Sequence, residues 1–100
     1  MAFFALEKAH RLYDGYFQAF NVRGLQLLLV QDGSQIHLIE NRCPHMDAPL
    51  NHARIINGHI RCPMHGIEFN LSNGQPKNGV GGCIKRYKFC YEGNQIGIDL

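Results

Sequence analysis

Apolar residues recur along this chain in short runs, and where they alternate with polar ones the period is two. Within Gln35–Glu40, Ile36, Leu38 and Glu40 fall on one face and His37 and Ile39 on the other. Later, Phe89 and Tyr91 alternate with Lys88 and Cys90. A period of two is the signature of a strand with two unlike faces. The β-prone runs are Phe3–Leu6, Tyr16–Val22, Leu25–Gln31, Gln35–Glu40, Ala53–Ile56, His59–Arg61, Glu68–Leu71, Ile84–Tyr91 and Gln95–Leu100. Turn dipeptides punctuate them: Asp14-Gly15, Asp32-Gly33, Asn57-Gly58, Asn73-Gly74, Asn78-Gly79 and Gly93-Asn94. Such pairs favour tight hairpins because both residues tolerate positive φ. Only Glu7–Tyr13 reads as a possible helix, and it is barely two turns long. The pattern predicts an all-β fold, a sandwich or barrel of small antiparallel sheets. At 100 residues, with no linker or internal repeat, a single domain over 1–100 is expected.

Composition narrows the class. The chain is 45% hydrophobic and 18% charged, which suits a globular domain rather than a disordered one. A formal net charge of +2 is too small to argue for nucleic acid. The tightest basic run, Lys85–Lys88, would split its charges between two strand faces and reads as solvated surface. The opening "MAFFAL" lacks a positive n-region and is shorter than an export signal needs. "LQLLLV" at Leu25–Val30 is far too short to span a bilayer. A cytoplasmic setting, with thiols reduced and no membrane contact, is the expectation. Cys83 and Cys90 would lie too far apart along one strand to form a disulfide, so both are expected to act as small free hydrophobes.

The chemistry concentrates between Cys43 and His65, in "CPHMDAPLNHARIINGHIRCPMH". Cys43-Pro44-His45 follows one strand and Cys62-Pro63-Met64-His65 follows another. A hairpin around Asn57-Gly58 can bring the two loops side by side. Each loop then offers one thiolate and one imidazole: Cys43, His45, Cys62 and His65. Zinc could take this Cys2His2 set in a tetrahedron. Cys-x-His is nevertheless a short spacing for two ligands of one small ion, and structural zinc sites usually keep like ligands together. In a two-iron cluster the irons lie apart, so both cysteines can hold one iron and both histidines the other. The oxidised core carries a double positive charge, which two thiolates neutralise and four would overturn. An electron is added more easily to the neutral centre, which raises its potential. His10, His37, His52 and His59 stand outside this spacing and read as surface or satisfied residues, although His52 and His59 lie in the linking hairpin, within reach of a cluster. Met46, Ala48, Pro49, Leu50, Met64 and Ile67 read as core, some of them forming an apolar rim around the ligands.

The motif C-x-H, sixteen residues, then C-x-x-H-G resembles that of Rieske [2Fe-2S] proteins. The resemblance extends to "FNLSNGQP" at Phe69–Pro76, to the closing "IKRYKFCYEGNQIGIDL", and to the strands before Cys43. It implies a Rieske fold in which residues 41–70 form a cluster-binding subdomain of two loops joined by a hairpin. It also implies one [2Fe-2S] cluster bound by Cys43, His45, Cys62 and His65. Respiratory members carry two further cysteines joined as a disulfide, where this chain has Ala48 and Met64. They also carry Ser and Tyr donors to the cluster sulfurs, where this chain has Ile67 and Phe69. Fewer donors leave the reduced state less stabilised. The chain is therefore similar to low-potential Rieske ferredoxins, although Asn78–Cys83 has glycines where the family often has a proline-containing cover.

No second domain offers two His and a carboxylate for a mononuclear iron, and no Gly-rich nucleotide fingerprint appears. The resemblance thus implies an electron carrier rather than an enzyme. It would pass single electrons from a flavin-dependent reductase to a terminal oxygenase. A small subunit of an assimilatory nitrite reductase and a redox sensor are the alternatives.

Overall fold

The computed structural model describes residues 2–44, 47–64, 66–79 and 82–100. Among these, the turn dipeptides do what their chemistry requires. Asn57 and Gly58 both take positive φ, 49° and 76°, so a two-residue turn joins Arg54–Ile56 to His59–Arg61 with Ile56 opposite His59. Nine strands result: β1 (Phe3–Lys8), β2 (Phe17–Val22), β3 (Leu25–Asp32), β4 (Gln35–Glu40), β5 (Arg54–Ile56), β6 (His59–Arg61), β7 (Glu68–Asn70), β8 (Cys90–Glu92) and β9 (Gln95–Asp99). They form three antiparallel sheets, ordered β1-β9-β8, β2-β3-β4 and β5-β6-β7. The expected all-β architecture of small antiparallel sheets is what the chain adopts.

The β2-β3-β4 sheet has a hydrophobic cluster on each face, and this explains the continuous apolar run in β3. Leu27, Leu28, Leu29 and Val30 are all fully buried. Leu27 and Leu29, with Leu38 of β4, pack with Ile96 and Ile98 of β9. Leu28 and Val30, with Ile39, pack with Ile60, Phe69 and Leu71 around the β5-β6-β7 sheet. A strand buried on both sides has no polar face to show, so alternation disappears from its sequence. Each fully buried Leu or Val is worth about 1.5–3 kcal/mol of apolar transfer.

Two expected elements differ. Glu7–Tyr13 is not a helix: β1 continues to Lys8, and only Ala9–Arg11 forms one 3₁₀ turn. Glu7 is instead held as a strand residue, accepting a hydrogen bond from the Tyr16 hydroxyl at 2.9 Å. Ile84–Tyr91 is not one strand either. Its first part lies along β4, where the Tyr87 N–H donates to Leu38 O and Lys85 O accepts from the Glu40 N–H, each at 2.8 Å. It then leaves β4 and pairs with β9 as β8. The segment serves two sheets, and the change of partner interrupts the ladder. Arg86 is correspondingly more than solvated surface, because its Nε donates to Leu71 O at 2.9 Å. Cys83 is exposed and Cys90 half-buried, both as thiols, so Cys83 does not act as a small core hydrophobe.

Candidate metal centre

The two loops that carry the motif are built alike. In the first, the Cys43 N–H donates to Ala48 O at 2.7 Å and Cys43 O accepts from the Asp47 N–H at 2.7 Å. In the second, the Cys62 N–H donates to Ile67 O at 2.8 Å and Cys62 O accepts from the Gly66 N–H at 2.9 Å. Each cysteine thus bonds to the residue four positions on through its carbonyl and to the residue five positions on through its N–H. The fourth residue must turn left-handed for this, and does: Asp47 has φ 56° and Gly66 has φ 69°. The two loops thus share their closing hydrogen bonds and a left-handed residue at the same position, although the motif spacings differ, Cys-x-His and Cys-x-x-His.

Both cysteines are sequestered, Cys43 fully and Cys62 at 1% exposure, in one cluster with Leu28, Leu50, Ile60 and Phe69. Leu50 is held over this cluster by its N–H, which donates to Asn41 Oδ1 at 2.6 Å. Ala48 and Ile67, the residues that close the two hydrogen-bonded loops, also pack against it. The expected ligands His45 and His65, and the expected rim residue Met46, lie outside the described residues. Among the described residues no three His, Cys, Asp or Glu side chains gather as a metal site, since two of the four expected ligands are not among them.

The donor set fits a [2Fe-2S] cluster. Two cysteine side chains share one apolar floor, and each begins a loop closed by two backbone hydrogen bonds of its own cysteine, an arrangement suited to a pair of thiolate ligands. At the two positions expected to lack donors, Phe69 is buried in the apolar cluster and Ile67 packs on it. The rim divides. Leu50 is core, whereas Pro49 and Pro63 are exposed and Met64 is 60% exposed. Gly82, in the Gly-rich stretch whose Val80 and Gly81 lie outside the described residues, comes up against Pro44; a Cβ there would stand 3.2 Å from the proline Cβ.

Three features were not anticipated. Arg42 bridges Glu40 at 3.4 Å and Asp47 at 3.3 Å, tying the first loop to the end of β4. His37, expected to be surface or satisfied, is 4% exposed, and its Nδ1 has no partner. Burial and the nearby Arg86 charge hold its pKa below the ordinary histidine value, against smaller opposing effects of Asp32 and the Leu71 backbone. Finally, a cleft lined by His52, Arg54 and Arg61 adjoins Cys62. Sequence spacing could have found it, because Arg54 and Arg61 stand symmetrically about Asn57-Gly58 and must oppose one another in a two-residue hairpin. His59, the other hairpin histidine, turns its ring to Asn57 O at 3.1 Å.

Comparison with known proteins agrees with this geometry. The family model described as the Rieske [2Fe-2S] domain matches residues 2–87. The ferredoxin component of the alkene monooxygenase system of Xanthobacter autotrophicus is 27% identical over 86 residues, 85% of this chain and 70% of that protein. Apoptosis-inducing factor 3 of mouse and human is 43% identical over 63 residues; these cover 63% of this chain, which spans only 10% of the length of those relatives. Among solved structures, the ferredoxin of carbazole 1,9a-dioxygenase from Nocardioides aromaticivorans IC177 superposes with a TM-score of 0.83 at 25% identity, covering 98% of this chain and 97% of its own. The Sphingomonas yanoikuyae B1 ferredoxin gives 0.86 at 24% identity over 99% of both chains and shares the fold. With matched loops around two buried cysteines and a family match over most of its length, the chain belongs to the Rieske [2Fe-2S] domain family and takes one [2Fe-2S] cluster.

Proposed function

We propose that this chain is a one-electron carrier, a single domain over 1–100 whose part at 41–70 holds the cluster. Cys43 and Cys62 bind one iron through sulfur, and His45 and His65 bind the other through imidazole nitrogen. The bound cluster supplies a site that gains and loses one electron. The protein's share is to exclude water from the sulfur ligands, hold the two loops in register and offer a surface to partners. Leu50, Ile60 and Phe69 serve the first task. The internal hydrogen bonds of each loop serve the second. Exposed Pro49, Pro63 and Met64 serve the third, as an apolar tip suited to a small transient contact below about 1,200 Å².

The observation that carries the reading is the matched pair of loops presenting two buried cysteines beside this exposed tip. In this reading electrons pass from a flavin-dependent reductase to a terminal oxygenase in the cytoplasm, with no chemistry on substrate by this chain itself; similarity to ferredoxins of oxygenase systems supports the oxygenase end. Among the described residues no helix is long and apolar enough to cross a membrane. The test is anaerobic purification followed by metal analysis and reduction by a flavoprotein reductase. About two irons and two acid-labile sulfides per chain are expected. His45→Ala and His65→Ala should lose the cluster or alter its visible spectrum. A colourless, zinc-loaded protein would refute the assignment.

A further inference from the structure

The β5–β6 hairpin carries two arginines directly opposite one another on its outer face. Arg54 and Arg61 are partners in the ladder, and both are exposed. Like charges at opposed strand positions repel, so this pair works against the stability of the hairpin. Among the described residues neither has a carboxylate within ion-pair distance. Glu68, the neighbour of Arg61 on β7, is engaged by Lys77 at 3.6 Å. Arg42, by contrast, holds both Glu40 and Asp47. The Arg61 guanidinium instead rests against the second metal loop, its Nη2 only 3.0 Å from where a Cβ would stand at Gly66. Together with His52 and Pro63 the two arginines line a cleft of about 450 Å³ that reaches Cys62. All of its charged side chains are exposed, which suits a landing surface and not a pocket that encloses a small ligand.

We infer that Arg54 and Arg61 form a cationic docking edge for a carboxylate-rich face of the protein that exchanges electrons with this chain. The inference rests on the carrier reading above and adds the chemistry of the partner. The apolar tip at Pro63 and Met64 would make the close contact, and the arginine edge beside it would steer and orient the approach. Electrostatic steering of this kind raises encounter rates by about 10- to 1,000-fold at low salt and fades as the Debye length shrinks.

The test uses a gold electrode coated with a carboxylate-terminated monolayer as the acidic surface, a hydroxyl-terminated one as reference, and the cluster-loaded protein. At about 10 mM salt, voltammetry should show electron exchange about tenfold or more faster on the carboxylate surface, and the preference should vanish when the Debye length falls to about 3 Å. The Arg54→Gln/Arg61→Gln variant should lose the preference while keeping its visible spectrum and potential. The Lys85→Gln/Lys88→Gln variant, with the same total charge, should retain it. Arg61→Lys should also retain it, separating charge from the contact over Gly66. Equal loss in both double variants would mean that net charge governs, and would overturn the docking edge. Suppression by phosphate well beyond that of chloride at equal ionic strength would make the cleft a small-anion site and would also overturn it. An intact cluster with no reversible wave on either surface would overturn the carrier reading, and the docking edge with it.

Discussion

Replacing Gly66 by alanine tests whether the two metal loops are mechanically equivalent. Gly66 has φ 69°, a region that costs an ordinary L-residue about 1–2 kcal/mol. The new methyl would also meet the Arg61 guanidinium at 3.0–3.2 Å, which is inexpensive because that side chain is exposed and can give way. The reduced freedom of the unfolded chain offsets about 0.4–1 kcal/mol. The net loss should be about 1 kcal/mol, equivalent to roughly 4–8 °C in Tm for a domain of this size. The reciprocal change, Asp47→Gly, acts at the matching position of the first loop, where φ is 56°. It removes a milder left-handed penalty but also the Arg42 contact, an ion pair with Asp47 77% exposed and so worth at most about 1 kcal/mol. It also gives the unfolded chain more freedom. These effects should cancel to within about 0.5 kcal/mol. Asp47→Ala keeps the strain, loses the pair, and should resemble Gly66→Ala. The assay is thermal loss of the visible absorption of the bound cluster, at one heating rate for all variants. A Gly66→Ala protein that melts with the wild type, or an Asp47→Gly protein that loses as much as Gly66→Ala, would refute the equivalence.

Two further outcomes are expected. The reduction potential should lie toward the lower end of the Rieske range of roughly −150 to +300 mV, and Ile67→Ser should raise it in protein-film voltammetry by adding a donor; no shift would mean that the hydroxyl points away from the sulfurs. Folding stability should depend on His37, whose buried ring takes up a proton less readily when folded than the unfolded chain does near its ordinary pKa of about 6.5. Its folded pKa is depressed, so stability is complete above that value and falls as pH drops below it, by up to about 1.4 kcal/mol per pH unit until the folded value is reached. Urea denaturation across this window should show a shallower slope for His37→Phe, and an unchanged slope would assign the titration to another group.

Much of the fold was legible because its turns carry strong local chemistry. Asn57-Gly58 fixes the register of the central hairpin without tertiary help. Arg23-Gly24 makes a similar turn, with both residues at positive φ, yet arginine sends no such signal, and only the flanking apolar runs revealed the break. The segment after Ile84 was misread because its β-prone composition cannot show that it changes partner between β4 and β9; that depends on where two sheets lie in space. Glu7–Tyr13 was misread because a local helical spacing yields to the hydrogen bonds β9 offers to β1. In the candidate metal centre, the spacing led to two loops that each begin at a cysteine, and Cys43 and Cys62 do share one buried cluster. The left-handed turn at Asp47 was not legible, since aspartate only tolerates what glycine favours. The burial of His37 was also hidden, because a histidine opposite Val30 in a β-ladder looks the same in sequence whether its face meets water or another sheet.

Ala2 and Leu100 exchange two backbone hydrogen bonds, at 2.7 and 2.9 Å, in the sheet that the β2-β3-β4 layer separates from the metal loops. Chain leading into Ala2 and chain leading out of Leu100 therefore run side by side, across the β2-β3-β4 layer from the loops of Cys43 and Cys62. A domain wired in this way can sit within a larger polypeptide, or be circularly permuted by bridging residues 2 and 100, without crossing the loops of Cys43 and Cys62. The same geometry makes an end-to-end peptide linkage a means of stiffening the protein without touching the cluster.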